Sequence, residues 1–143
     1  MMEKNKKGAA RKIIKILSDN TIYREVRRLL GFSDSVEASI LTVELPLHLP
    51  LNILKNVVGL TPNRNNGRYN HRIRNHLSQL AINIYLNVKQ WRDKLEIPEE
   101  FGEIIESLPW GKAICKLQSR ILKTFRKAYF LAADRTVNNL AVR

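Results

Sequence analysis

The sequence predicts an all-α fold, a single bundle of about six helices formed by residues 1–143. Apolar residues recur at spacings of three and four along most of the chain, which is the periodicity of helices packed on a core. Prolines and glycines fall between these stretches, where they mark helix ends. On length grounds 143 residues form one domain, which buries about 68% of its unfolded surface.

Two amphipathic helices are predicted before residue 32. The second begins at a capping residue, Asp19 or Asn20, repeats apolar residues from Ile22 to Leu30, and ends at Gly31. The first has apolar residues on one side (Ile13, Ile14, Ile16, Leu17) and basic residues on the other (Lys4, Arg11, Lys15).

The stretch ASILTVELPLHLPLNIL, residues 38–54, mixes two signals. Its β-branched residues favour a strand, but Pro46 and Pro50 exclude a central one because proline cannot donate to the ladder. We therefore expect a short helix, a kinked extended connector, and a second short helix from Leu51 to Val58.

A long helix is predicted from Tyr69 to Leu95. Ile82 and Leu86 lie opposite its main apolar stripe, so neighbours are expected to contact this helix from two directions. The stripe contains Ile73, Leu77, Leu80, Ile84, Val88, Trp91 and Leu95.

Two further helices follow residue 97. Pro98 suits the first position of an acidic helix, PEEFGEIIESL, whose glutamates lie near the positive end of the helix dipole. Pro109 closes this helix, and the last helix is predicted from about Trp110 to about Ala133.

The chain is strongly basic, with a formal net charge of +12 and a pI near 10.2. Such an excess repels itself and favours polyanionic partners, with nucleic acid first and an anionic membrane surface second. Basic and acidic blocks alternate, which predicts an assembly in which the acidic helix of one chain meets a basic face of another. The blocks are 1–32 (+6), 33–60 (−2), 61–95 (+6), 96–109 (−5) and 110–143 (+7).

The single cysteine, Cys115, excludes an internal disulfide and a cysteine-based zinc site. We expect it to pack as a small apolar residue in a reducing compartment. No run approaches the ~18 apolar residues of a membrane span. Lys12 and Lys15 interrupt the apolar stretch near the N-terminus, so no signal peptide is predicted there. The expected location is cytoplasmic.

The last helix carries a stripe of five cations, here called the basic ladder: Lys112, Lys116, Arg120, Lys123 and Lys127. Their spacings of 4, 4, 3 and 4 place them on one face, and the stripe extends for ~22 Å. Like charges at i, i+4 destabilise an isolated helix by a few tenths of a kcal/mol each. No acidic residue in the helix body offsets them, so the pattern predicts a phosphate-bearing partner. The opposite face is apolar and contains Ile114, Leu117, Ile121, Phe125 and Ala132.

A second cationic stretch, TPNRNNGRYNHRIRNH, covers residues 61–76 without an acidic residue. Asparagine and glycine in NRNNG favour a turn. Arg64, Arg68 and Arg72, with nearby amides, suit phosphate and sugar oxygens. A solvated loop leading into a helix is the simpler alternative.

Catalysis by the same stretch is a further alternative. Arg64 and His71 fit the R-x(4–6)-H pattern of the all-helical HEPN ribonucleases, which the chain resembles in size and class. Gly67 and two asparagines, however, interrupt the helix on which that family carries its motif. A metal site is not predicted, because His71 and His76 are five residues apart and misaligned on a helix. No glycine-rich phosphate loop is present, and no cofactor is predicted.

The sequence is compatible with two other modes of nucleic-acid binding. A helix-turn-helix protein could use the turn at Gly31, but the helix behind it carries Asp34, Glu37 and Glu44, the wrong charge for a DNA groove. Aromatic residues could stack on bases, although at helical spacing they more often belong to a core. The candidates for stacking are Tyr69, Trp91, Trp110 and Tyr129.

The basic faces GKAICKLQSRILKTFRK and NGRYNHRIRNH, with the small size and helicity of the chain, give it a resemblance to the small subunit of CRISPR Cascade-type effector complexes. The resemblance implies a non-enzymatic subunit that contacts crRNA and the target or non-target DNA strand beside other subunits and further copies of itself. It implies no membrane partner. The residues expected to bind nucleic acid are the basic ladder with Arg64, Arg68, Arg72, Lys4, Arg11 and Lys15.

Overall fold

The computed structural model describes residues 20–31, 35–61, 68–91 and 98–141, and these ranges contain six α-helices and no strand. The all-α prediction is confirmed. The predicted helix around residues 13–17 lies outside the described residues, as do Lys4, Arg11 and Lys15. The helices are α1 (Thr21–Leu30), α2 (Val36–Glu44), α3 (Leu51–Val57), α4 (His71–Trp91), α5 (Glu99–Ser107) and α6 (Trp110–Ala141).

Helix α1 has the ends that the sequence predicts. The Asn20 side chain accepts a hydrogen bond from the Tyr23 backbone N–H at 3.0 Å, which caps the N-terminus. Gly31 ends the helix with a φ of 76°, and its N–H donates to the Arg27 carbonyl. Tyr23 is fully buried, and its hydroxyl accepts from the backbone N–H of Ser35, which ties α1 to the start of α2.

The proline-containing connector between α2 and α3 is part of the core. Leu45 and Leu47 are buried, while Pro46 is partly exposed and Pro50 precedes the first turn of α3. The Arg126 side chain of α6 donates to the Leu49 carbonyl at 3.1 Å. The two short helices and the kink between them are thus confirmed, but the connector forms a turn, with the Leu49 N–H donating to the Pro46 carbonyl, and is not extended as expected. It rests on α6.

Helix α6 is the axis of the bundle, because α1, α3, α4 and α5 all pack on it. Helix α2 packs on α4 and α1 instead. The side of α6 opposite the basic ladder supplies much of the core, including Leu117, Ile121 and Phe125, as predicted. Helix α6 continues past Ala133 to Ala141, since neither glycine nor proline occurs after Gly111 to stop it.

Helix α4 contacts α2, α5 and α6. Its predicted stripe is buried from Ile73 to Val88, whereas the side chain of Trp91 and residue Leu95 lie outside the described part. Ile82 is partly buried against the core, but Leu86 is 53% exposed. The second face of α4 that was expected to contact neighbouring helices therefore includes Ile82 but not Leu86.

Two local predictions are wrong. Pro98 occupies the capping position before α5, and the first helical residue is Glu99. Cys115 is exposed, because on α6 it falls just outside the arc of side chains that face the core.

Candidate nucleic-acid interface

The basic ladder lies on the solvent side of α6. Lys112, Lys116, Lys123 and Lys127 are exposed. None of these four lysines has an ion-pair partner within the described part of the chain. Four positive charges that form no ion pair with the described residues are therefore exposed along one side of the bundle, with Glu100 lining the cleft beside two of them, Lys123 and Lys127.

The fifth member of the ladder, Arg120, is paired. Its Nε lies 2.7 Å from Glu100 Oε1, and the two side chains are 37% and 47% exposed. Only Leu108 and Pro109 separate α5 from α6, so the two helices form an antiparallel hairpin that brings Glu100 back to Arg120. No acidic residue in the body of α6 offsets the ladder, as predicted, but Glu100 of the neighbouring helix does so at this position. The acidic helix meets the basic face within one chain here.

A cleft of about 260 Å³ opens beside the C-terminal half of the ladder. Helix α6 forms its basic wall, with the Thr124 hydroxyl among the cations, and Leu29 of α1 forms another side. The start of α5 closes the cleft with Pro98 and Glu100. A backbone phosphate could enter this cleft at Lys123 and Lys127, although Glu100 partly opposes it.

An aromatic residue continues the ladder beyond Lys127. The Phe130 ring is 44% exposed, and the Arg126 guanidinium lies over it at 4.8 Å from the ring centroid. Tyr129 meets the same ring edge-on at 5.4 Å between centroids. Sequence reasoning missed Phe130, although its position 18 residues after Lys112 was a readable signal, since that is five turns of an α-helix.

The second predicted cationic surface is divided by the fold. Arg64 lies outside the described residues, and Arg68 is exposed. Arg72 is 72% exposed and forms an ion pair with Glu44 of α2 at 2.8 Å. Exposed pairs of this kind contribute about 0–1 kcal/mol, so a phosphate could compete for Arg72.

Arg74 and Tyr69 have structural roles at the end of α3. Gly59 has a φ of 72°, and the N–H groups of Leu60 and Gly59 donate to the last carbonyls of α3. Arg74 donates to the Val58 and Gly59 carbonyls at 3.0 and 2.8 Å. The Tyr69 ring packs directly over Gly59. These contacts fix the start of α4 against α3.

Of the two residues in the ribonuclease alternative, Arg64 and His71, only His71 lies within the described part of the chain. His71 is the exposed first residue of α4, and its ring lies 4.1 Å from that of Tyr69. Helix α4 begins at His71 and not, as was predicted, at Tyr69. The Asn70 side chain caps this start by accepting a hydrogen bond from the Ile73 N–H. Arg64 is outside the described residues. Among the residues that are described, no three His, Cys, Asp or Glu side chains are grouped to hold a metal ion.

Helix α2 is the candidate recognition helix of the helix-turn-helix alternative. Its sequence, VEASILTVE, has no basic residue, and Glu44 is already paired with Arg72. Ala38 and Leu41 face the core. The helix thus presents no cation to a DNA groove.

The predicted stacking residues are mostly engaged inside the fold. Tyr69 covers Gly59, and Tyr129 is packed against the core. Trp110 is 47% exposed but is held edge-on by Tyr85 of α4, away from the ladder. The side chain of Trp91 is not described.

No helix in the described ranges has the length and apolar character needed to cross a bilayer.

Comparisons of the chain with protein-family models, with curated proteins and with solved structures found no match.

Proposed function

We propose that this protein is a non-enzymatic, sequence-independent nucleic-acid-binding subunit of a larger ribonucleoprotein. The observation that carries the proposal is the row of four exposed lysines on α6, none of which forms an ion pair with another described residue. Their side chains extend for ~22 Å along one face, which matches a run of consecutive backbone phosphates. A row of phosphates offsets the mutual repulsion of these charges by releasing condensed counterions.

The shape around the ladder favours backbone contacts over reading of base edges. Leu29 of α1 and Pro98 of α5 line the cleft on the flank of α6, so the helix is bordered by its neighbours. A recognition helix must enter a major groove about 12 Å wide, and the neighbouring helices that border the exposed face of α6 hinder such an approach. Lysine also acts as a point charge on a flexible stem, and this suits phosphate without specifying sequence.

The net charge of +12 favours an assembly that contains a polyanion, because the polyanion relieves self-repulsion. The resemblance to Cascade small subunits suggests which assembly this is. In such a complex, the ladder would hold crRNA, the target strand or the displaced strand, and the chain would contact other subunits and further copies of itself.

The test is a charge reversal restricted to the ladder. Replacing Lys116, Lys123 and Lys127 by glutamate leaves the apolar face and Arg120 itself unchanged, so the fold should persist. Affinity for labelled oligonucleotides, measured by fluorescence anisotropy, should fall by well over ~10-fold at low salt, and the salt dependence should become shallower.

A matched control separates position from net charge. Reversal of Arg24, Lys55 and Lys89, which lie at least partly exposed on other helices and outside the predicted nucleic-acid-binding set, changes the charge by the same amount. We expect this control to lose only about threefold, because screening limits the effect of distant charges. Equal losses of affinity in the two triple variants would show that nucleic acid binds diffusely over the surface.

The ribonuclease alternative has its own test. If the wild-type protein cleaves labelled RNA and His71→Ala does not, the protein is a ribonuclease and the proposal is wrong.

A further inference from the structure

We infer that Phe130 is a stacking platform for an unpaired base, so that the surface containing the basic ladder prefers single-stranded over double-stranded nucleic acid. This inference rests on the proposed function and names the form of nucleic acid that the same surface binds.

The first support is the position of Phe130 on α6. It follows Lys112 by 18 residues, which is five turns at 3.6 residues per turn, and therefore continues the line of the ladder. It also follows Lys127 by three residues, about one turn further along the axis. A strand with phosphates on Lys123 and Lys127 would bring its next nucleotides to this ring.

The second support is the fixed orientation of the ring. Arg126 is anchored by its hydrogen bond to the Leu49 carbonyl, and its guanidinium lies over the Phe130 ring. Tyr129 makes a T-shaped contact with the same ring, at an interplanar angle of 79°. The ring is thus held in place before a ligand arrives, which lowers the entropy lost on binding. The part that stays in solvent is a rigid apolar surface beside cations.

The third support is the combination of chemistries. Proteins that bind single strands place aromatic side chains along a basic groove, and bases stack on them whatever their sequence. The anchored guanidinium of Arg126 adds a second planar surface for a base. In a duplex the base faces are covered by their neighbours, and Phe130 could reach them only by unstacking the duplex, which costs free energy, so the ring favours a single strand.

Other exposed apolar side chains lack this setting. Val43 on α2 and Leu86 on α4 are 65% and 53% exposed, more than Phe130. Neither lies on the line of the basic ladder, and single exposed apolar residues are common on protein surfaces. Exposure alone therefore does not mark Phe130 as a binding residue. What distinguishes it is that it lies on the same face of α6 as the lysines and that its ring is held in a fixed orientation.

The test compares Phe130→Leu and Phe130→Trp with the wild-type protein. Leucine keeps an apolar side chain but removes the π face, whereas tryptophan enlarges it. Affinity for a mixed-sequence DNA 20-mer and for the same sequence as RNA should fall about tenfold in Phe130→Leu. Phe130→Trp should bind at least as tightly as wild type, with fluorescence quenched by single strands beyond the wild-type change. Affinity for the corresponding duplex should remain unchanged in both variants.

Leu86→Ala is the control for loss of an exposed apolar side chain, and we expect it to bind both forms normally. Equal losses for single strands and duplex in Phe130→Leu would overturn the inference. So would unchanged single-strand affinity together with a lower unfolding temperature, which would make the ring a packing residue. If wild type binds no nucleic acid at all, the proposed function fails; if only Phe130→Leu is neutral while the ladder reversal abolishes binding, the stacking inference alone fails.

Discussion

Arg120 of the basic ladder and Glu100 of the acidic helix form an ion pair, with Nε and Oε1 2.7 Å apart. The pair places a negative charge within the surface proposed to bind phosphates. Glu100 also lines the cleft beside Lys123 and Lys127. A carboxylate at this position competes with a phosphate for the same cations and weakens binding.

Removing this carboxylate should strengthen binding. In Glu100→Gln, Arg120 becomes free for a phosphate and a like charge leaves the cleft, so we expect nucleic-acid affinity to rise about three- to tenfold at low salt. The fold should remain, because a partly exposed pair contributes about 0–1 kcal/mol. Anisotropy titrations measure the change.

Glu103→Gln is the matched control, since Glu103 is exposed on the same helix and has no ion pair in the described structure. Its effect should be less than twofold. Equal gains in the two variants would mean that only net charge matters and that the Glu100–Arg120 pair does not regulate the ladder.

A second prediction concerns the turn between α3 and α4. A Cβ on Gly59 would lie 2.6 Å from Cγ of the Tyr69 ring, and the positive φ of 72° is strained for other residues. Gly59→Ala should therefore reduce the free energy of unfolding by about 2–4 kcal/mol, because the Tyr69 ring, just before α4, must move away from the added methyl group. Thermal or urea unfolding followed by circular dichroism measures this.

Gly111→Ala provides the contrast at a glycine with open surroundings. Apart from its chain neighbours and the backbone of its own helix, no described atom lies within 4 Å of the Cβ that alanine would add, and Gly111 is in the first turn of α6. Because alanine is the better helix former, stability should be unchanged or up to about 1 kcal/mol higher. A stable Gly59→Ala protein would contradict the role given to Tyr69 and this turn.

The sequence predicted those parts of the fold that depend on local signals. The cap, predicted at Asp19 or Asn20 and found at Asn20, the helix end at Gly31 and the kink around Pro46 each follow from local residue properties. The buried face of α6 follows in the same way from spacing, because a long amphipathic helix has only one face to bury.

Features that depend on how helices meet could not be predicted from the sequence. The Arg120–Glu100 and Arg72–Glu44 pairs join residues 20 and 28 positions apart, and only the packing of α5 on α6 and of α2 on α4 brings them together. The role of Arg74 at the end of α3 depends on tertiary contact in the same way. The wrong expectation for Cys115 came from composition, since a lone cysteine is more often buried than exposed.

The exposed thiol of Cys115 provides the last prediction, a footprint of the bound strand. Cys115 lies between Lys112 and Lys116 in sequence and next to both on the surface of α6. One equivalent of a thiol reagent should react with the native protein, and saturating single-stranded DNA should slow the reaction at least ~3-fold, because a strand on the ladder covers this part of the helix. The ladder reversal variant should show no slowing. In a Cys115→Ser background, Val43→Cys places a thiol on α2, where DNA should have no effect. Slowing at position 43 and none at Cys115 would place the bound strand on the α2 side of the bundle and contradict the assignment of the ladder.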